Sequence, residues 1–296
     1  MMSKHFFFYF GTFLISFVQA QGNETTLKAE GGVYWKITPP NSKQSSYIFG
    51  TIHLIEKDRY NLPKTVSKQL EKSDLLVMEI ADLDDQRMAL EMLMLKSGRM
   101  TDILNPAQKD SLYQYIEQKF GLDSANFEKT MGKFKPIFFL QLPYTSLVMN
   151  SESYDVNINH LAMEKGIPIH GLETMQEQLS FFDDLSDELK AEMMMQVVRD
   201  TSDLKKEWNK FQTLYLNQQL SDMSSFDSGN TDVMAFYDKT LLSGRNEKWM
   251  HYLSTELKDK SVFIAVGAGH LAGQKGLLNL FKEAGYTVTR VQIKLK

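Results

Sequence analysis

The chain has 296 residues, 33 Lys+Arg against 37 Asp+Glu for a formal net charge of -4, and no cysteine. Without cysteine there is no disulfide framework, zinc ribbon, Fe–S cluster or thiol nucleophile, and a mildly acidic total argues against nucleic acid as the main partner, because phosphate neutralisation needs a basic face. A composition of 43% hydrophobic, 24% charged and 11% aromatic residues belongs to a folded globular chain and excludes collagen-like and disordered classes.

The N-terminus reads as an address. Lys4 precedes an apolar run from Phe6 to Val18, and small Ala20 stands before Gln21. This is the pattern of a secretory signal peptide over residues 1–20, and the run is shorter than the roughly 17–25 residues of a membrane span. The expectation is a secreted or periplasmic protein of residues 21–296 with no stable membrane span after cleavage.

Strand and helix patterns then alternate. Val33 to Thr38 has strand character and Pro39-Pro40 stops it; Tyr47-Ile48-Phe49 leads into Gly50-Thr51-Ile52-His53 as a second strand. Pro63 to Lys72 reads as a short helix, Leu75 to Ile80 as a buried strand, and the pattern to about Phe134 as helical. Pro136 to Met149 is a strongly apolar helix candidate with a kink at Pro143. Tyr154 to Lys165 is helical, with Gly166 at the expected cap. Ile167 to Glu173 is a third buried strand, and Thr174 with Glu177 forms a capping-box signature for the next helix. Ser186 to about Ser221 and Asp232 to Lys258 read as two long helical stretches separated by Ser224 to Asn230. Val262 to Val266 is the most apolar strand, Gly273 to Ala284 a helix, and Tyr286 to Leu295 an alternating closing strand. The sum is one α/β domain with a central, largely parallel sheet, flanking helices and a large helical insertion over about 174–258.

Chemically able residues stand at or just beyond the ends of the buried strands: His53, Glu79, Glu173 and His270. In open α/β sheets, ligands bind at the carboxyl ends of strands. If these strands are parallel neighbours, two imidazoles and two carboxylates converge there, which is a donor set for a divalent metal with positions left for water. Each histidine follows a glycine by three residues (Gly50 to His53, Gly267 to His270), and glycine allows a sharp turn and close backbone approach to a bound group. Taken singly, each feature has a plainer explanation. A lone histidine after a strand is more often a hydrogen-bonded structural group, and a strand-end glutamate is often a cap or ion-pair partner. Arg245 has the local context of a surface arginine, while its chemistry suits clamping a carboxylate or phosphate. His160, His170 and His251 read as structural or exposed, and the methionine-rich stretches, Met88 to Met94 and Met193 to Met195, as core filler. No Walker loop, GxGxxG, HExxH or nucleophile elbow is present.

These residues, in this order, resemble the TraB/GumN family, which includes the Tiki-like metal-dependent proteases. The resemblance lies in Gly50-Thr51-Ile52-His53, Glu79, Tyr154-Asp155 with His160-Leu161-Ala162, the block Gly166 to Thr174 followed by Glu177-Gln178, the Arg245-Asn246 pair, and Gly267 to His270. It implies an α/β fold like that of erythromycin esterase and the haem-binding ChaN proteins, and a metal-dependent hydrolase. His53 and His270 become metal ligands, Glu79 a ligand or general base, and Glu173 and Arg245 supports of the site. The expected function is an exported metal-dependent hydrolase, a peptidase being one form of it, acting on a peptide or small-molecule substrate with Mn, Co or Zn. The alternative is a non-enzymatic haem- or peptide-binding protein, for which the histidines and the apolar Pro136 to Met149 segment would serve.

Overall fold

A computed structural model describes residues 31–42, 44–82, 90–201, 203–220 and 237–296. Its centre is a run of strands that are apolar along their whole length, as strands covered on both faces must be. Strand β1 (Tyr34–Thr38) and β2 (Ser46–Thr51) open the chain, a short β3 (Ile55–Glu56) follows, and β4 (Leu75–Met78) comes next. Later come β5 (Ser151–Glu152), β6 (Ile169–Gly171), β7 (Val262–Gly267) and β8 (Thr287–Arg290). Six of them form one sheet in the order β6-β4-β7-β2-β1-β8, while β3 and β5 pair separately. β6, β4, β7 and β2 run parallel; β1 is antiparallel to both β2 and β8. Every residue of β4 and β7 is buried, and β8 lies half exposed at the edge.

The parallel register decides where the chemistry goes. Thr51 pairs with Gly267, Ala265 with Met78, and Met78 with Gly171. Four strands therefore end side by side at one edge, and the residues one to three positions beyond those ends share a small volume. The ladder continues past the last strand residues: Leu172 N donates to Met78 O at 2.8 Å and Glu173 N to Glu79 O at 2.9 Å.

Helices cover both faces. They are α1 (Lys64–Leu70), α2 (Pro106–Phe120), α3 (Ser124–Thr130), α4 (Pro136–Gln141), α5 (Thr145–Val148) and α6 (Tyr154–Lys165), then α7 (Met175–Asp183), α8 (Asp187–Arg199), α9 (Leu204–Leu216), α10 (Gly244–Glu256) and α11 (Leu277–Glu283). Their ends obey local chemistry. Thr174 and Glu177 cap α7 reciprocally, Ser153 caps α6 by accepting from Val156 N, and Gly166 ends α6 in the left-handed region at φ 67°. Among the described residues no helix is long and apolar enough to cross a membrane.

The apolar interior has two parts. One lies around the sheet and includes Phe263, Ile264, Trp208 and Trp249. The second lies among helices and gathers Phe127, Ile137, Phe139, Leu179 and Met194. The helical insertion expected at about 174–258 contributes to both parts, Leu179 and Met194 to the second and Trp208 and Trp249 to the first. Residues between β4 and β6 build the second part too, with helices α2 to α4 packing their apolar residues against those of α7 and α8.

Several expected elements are shorter or broken. Ser186 to Ser221 divides into α8 and α9, with Asp200 leaving helical geometry at ψ 116°. Pro136 to Met149 breaks into α4, a tight turn at Leu142–Tyr144 and α5, since Pro143 cannot donate within a helix. The third strand is confined to Ile169–Gly171 and the last to Thr287–Arg290. The segment Gly273–Gly276 is a turn before α11. A π-helical turn, Tyr237–Ser243, runs directly into α10. The signal segment, Met88, and the break at Ser224 to Asn230 lie outside the described residues.

Gly50 shows why one of the marked glycines is needed. A Cβ there would stand 2.6 Å from Leu271 Cδ1 and 3.0 Å from the Ala268 backbone. Its missing side chain admits the turn after β7. Gly50→Ala is expected to lower stability by about 1–3 kcal/mol through overpacking, read as a lower denaturant midpoint; an unchanged midpoint would contradict this packing role.

Candidate active site

The five charged or imidazole groups singled out in the sequence meet at the strand ends, and all are buried: His53, Glu79, Glu173, Arg245 and His270. Arg245 is 2% exposed and so is not a surface residue. It stands on the first turn of α10, where the helix passes over the ends of β4, β6 and β7.

His53 follows β2 and faces α6. Its Nδ1 lies 2.9 Å from Asp155 Oδ2, and Asp155 Oδ1 accepts from Thr51 Oγ1 at 2.8 Å. Thr51, the last residue of β2, and His53, two positions beyond it, thus grip one carboxylate together. Asp155 stands in the first turn of α6, where a negative charge is favoured. With Nδ1 donating to the carboxylate, His53 presents Nε2 inward, and this buried atom has no hydrogen-bond partner.

His270 is held by a different group with the same result. Asn246 Nδ2 donates to His270 O at 3.2 Å and to Lys275 O at 2.8 Å. Its amide orientation is thereby determined, and Asn246 Oδ1 must be the acceptor facing His270 Nδ1 at 2.7 Å. His270 therefore carries its proton on Nδ1 and turns a lone pair on Nε2 into the cluster. Its ring packs against Trp249, with centroids 4.4 Å apart.

The carboxylates are joined by Arg245. Its Nη2 donates to Glu79 Oε2 at 2.6 Å, and its Nε to Glu173 Oε2 and Oε1 at 2.9 and 3.2 Å. Its Nη1 donates to Leu241 O at 2.9 Å and lies 3.3 Å from His270 Nε2. Its guanidinium carbon sits 4.7 Å from the Trp249 ring centroid, and Trp249 Nε1 donates to Glu173 Oε1 at 3.0 Å. Gly267 N donates to Glu79 Oε1 at 2.8 Å. Gln178 Nε2 reaches toward both carboxylates, at 3.3 and 3.4 Å, which leaves its Oε1 buried without a partner.

Gly267 marks the centre. A Cβ at that position would lie 3.2 Å from Glu79 Oε1, 3.7 Å from His53 Nε2 and 3.8 Å from His270 Cδ2. Two inward-facing imidazoles and a carboxylate oxygen thus surround one point that only glycine leaves open. The donor chemistry is that of a divalent cation site, and both imidazoles are oriented through Nδ1 by an outer acceptor, as metal-binding histidines are. As the side chains stand, however, no three His, Asp or Glu groups among the described residues form a metal cage.

Electrostatics follow from burial. Burial alone would raise the Glu79 pKa, but His270, the Arg245 guanidinium, His53 and the Gly267 N–H reverse the sign, so Glu79 is held ionised. Burial lifts Glu173 above the usual carboxylate range; Arg245 offsets part of this and Glu79 adds to it. Burial works against a proton on His53, yet Asp155, through its charge and hydrogen bond, and Glu79 outweigh it and raise the pKa. His270 is pushed down to about 3, first by burial, with Glu79 opposing and Arg245 and His53 reinforcing.

Gly50, marked with Gly267 as a site glycine, packs against Leu271 and Ala268 instead of the imidazoles. His170 stacks on Tyr252, its ring centroid 4.0 Å away, and His160 and His251 are exposed. Four site residues had no assigned role in the sequence reading: Asp155, Asn246, Gln178 and Trp249. Asp155, Asn246 and Gln178 lie inside segments that carry the family resemblance, but none stands at a strand end, and only the packing of α6, α7 and α10 brings them in.

A model of the TraB/PrgY/gumN family matches residues 33–290, a span that contains every residue of this cluster. No curated protein matches the chain.

The two histidines make opposite contributions to stability in separate pH windows. His270 has a depressed folded pKa, so the unfolded chain takes up a proton first as pH falls from about 6.5 toward about 3, and stability drops across that window. His53 has a raised folded pKa, so its contribution is complete below about 6.5 and is lost as pH rises through the folded value. In chelator-treated protein, His270→Gln is expected to flatten the acid limb and Asp155→Asn the alkaline one, measured as urea midpoints across pH. Parallel profiles for parent and variants would refute the assignment.

Proposed function

The chain belongs to the TraB/PrgY/gumN family, and from that premise we propose that it is an exported metal-dependent hydrolase acting on a peptide or another carbonyl substrate. The observation that carries the reading is the orphaned, buried Nε2 of His53, aimed into the space that Gly267 leaves open beside Glu79 and His270. A buried nitrogen without a partner costs about 1–3 kcal/mol, and a bound cation would remove that cost.

His53, His270 and Glu79 would hold the ion. Two imidazoles and a carboxylate suit Zn, Mn or Co, and leave positions for water and substrate. Such an ion supplies Lewis-acid polarisation of a carbonyl and activation of water. The chain's own residues do the rest. Asp155 and Asn246 keep both Nε2 atoms turned inward. Gly267 N–H and Arg245 hold Glu79 ionised, which suits it to ligation better than to proton abstraction. Glu173, whose pKa burial raises while that of Glu79 is lowered, is the one of the two carboxylates that takes up a proton more readily. Arg245 carries the positive charge that would oppose negative charge developing on a substrate oxygen. Export is the proposal that the Lys4 and Phe6 to Val18 pattern supports. Within Pro136 to Met149, the segment that the haem-carrier alternative would use, Ile137 to Leu140 pack in the helical core, which favours the metal reading.

The test is metal content and affinity of the mature protein beside a His53→Ala/His270→Ala double variant of verified fold, followed by a peptidase and esterase screen with the bound metal. One divalent ion per parent chain, none in the variant, and metal-dependent turnover are expected. A parent that takes up no Zn, Mn or Co ends the proposal. Asp155→Asn and Asn246→Ala should each weaken metal affinity or turnover by roughly 10–100-fold, the usual effect of removing an outer partner of a ligating histidine; unchanged metal titrations would exclude their positioning role.

A further inference from the structure

Arg245 makes more contacts in the cluster than any orienting role requires. Its Nε and two terminal nitrogens reach Glu173, Glu79, Leu241 O and His270 Nε2. The contact to His270 is of particular interest. Asn246 dictates that His270 Nε2 bears the lone pair, which is the same lone pair a metal would need. The guanidinium donates into it at 3.3 Å, the longest of Arg245's hydrogen bonds, and at the same time neutralises Glu79 from 2.6 Å. A positive group and a dication cannot share that face at close range.

We propose that Arg245 is a built-in counter-cation that competes with the metal, holding His270 and Glu79 in the metal-free protein and giving up His270 Nε2 when a cation enters. This rests on the metal reading of the site and extends it to how the site is filled. The arginine has somewhere to remain after yielding, because its bonds from Nε to both Glu173 oxygens do not involve Nη1, the nitrogen that faces His270. Leu241 belongs to the π-helical turn Tyr237–Ser243 that leads into α10. Such turns recur at functional sites, and this one supplies the carbonyl that anchors the guanidinium. Three features follow from one arrangement. The buried carboxylates are neutralised before any metal arrives, so the fold does not depend on metal. The ligands do not stand as a closed cage, because the guanidinium lies against two of them. Metal affinity is lowered by the free energy of displacing Arg245.

The experiment is calorimetric titration of the full chain with Zn and with Mn for four proteins: parent, Arg245→Met, Arg245→Met/Glu173→Gln and the His53→Ala/His270→Ala control. The double variant guards against misfolding, since it removes Glu173's charge together with the cation that balanced it. Thermal unfolding with and without metal is read in parallel. The Arg245 variants are expected to bind metal roughly tenfold or more tightly than the parent, a typical size for coupling between two competing events. They should also gain more thermal stability from metal than the parent does. A parent that binds poorly beside a variant that binds well supports the proposal most directly. Equal or weaker binding by both folded Arg245 variants, with the parent binding normally, overturns it and leaves the metal reading intact. No binding by any of the four removes both.

Discussion

Two imidazoles, two carboxylates and one guanidinium share a space buried from solvent, and the charge balance of that space constrains everything around it. A buried ion pair gains little over a hydrophobic isostere, but a buried charge stripped of its partner is strongly destabilising. Arg245 therefore cannot be an isolated catalytic ornament. It is the group that makes it possible to bring Glu79 and Glu173 to the ends of adjacent strands. Trp249 extends the arrangement by covering the guanidinium face and donating to Glu173.

The fold serves that constraint through register. Parallel pairing of β6, β4, β7 and β2 aligns four C-terminal ends, and each chain continues for one to three residues before turning away. A slip of one residue in any pair would send the strand-end side chain to the other face. Helices then close the site from above: α6 brings Asp155, α7 brings Gln178, and α10 brings Arg245, Asn246 and Trp249. Their capping residues, Ser153 and Thr174 for the first two, set where each helix begins and hence which side chain looks down on the strand ends.

Orientation of the two histidines illustrates convergence on one result by different means. His53 is turned by a carboxylate that a β2 threonine also holds, whereas His270 is turned by an amide whose orientation two backbone carbonyls decide. Both leave Nε2 turned into the cluster, His53 toward Gly267 and His270 toward Arg245 and Glu79. The first partner is charged and raises the histidine's pKa; the second is neutral and leaves burial to depress it. The two imidazoles of one site are thereby set to different proton affinities.

Much of this was legible in the residues alone. The alternation of apolar strands with amphipathic helices required an α/β sheet. The polar residues placed just after those strands made His53, Glu79, Glu173 and His270 neighbours on the condition that the strands lie parallel and adjacent, which the order β6-β4-β7-β2 meets. The Thr174–Glu177 cap and the kink at Pro143 were equally local and equally readable. What the sequence could not decide were matters of tertiary packing. Arg245 has the local context of a surface residue and is buried, because burial depends on which carboxylates meet it from 72 and 166 residues away along the chain. Asp155 and Asn246 sit on helices whose docking, not whose spacing, aims them at the histidines. The helical lobe is assembled from two separate stretches because amphipathic helices far apart in the chain find their apolar partners only in space. Local rules chose the elements and their ends; long-range contacts alone could choose which charges face one another in the dark interior.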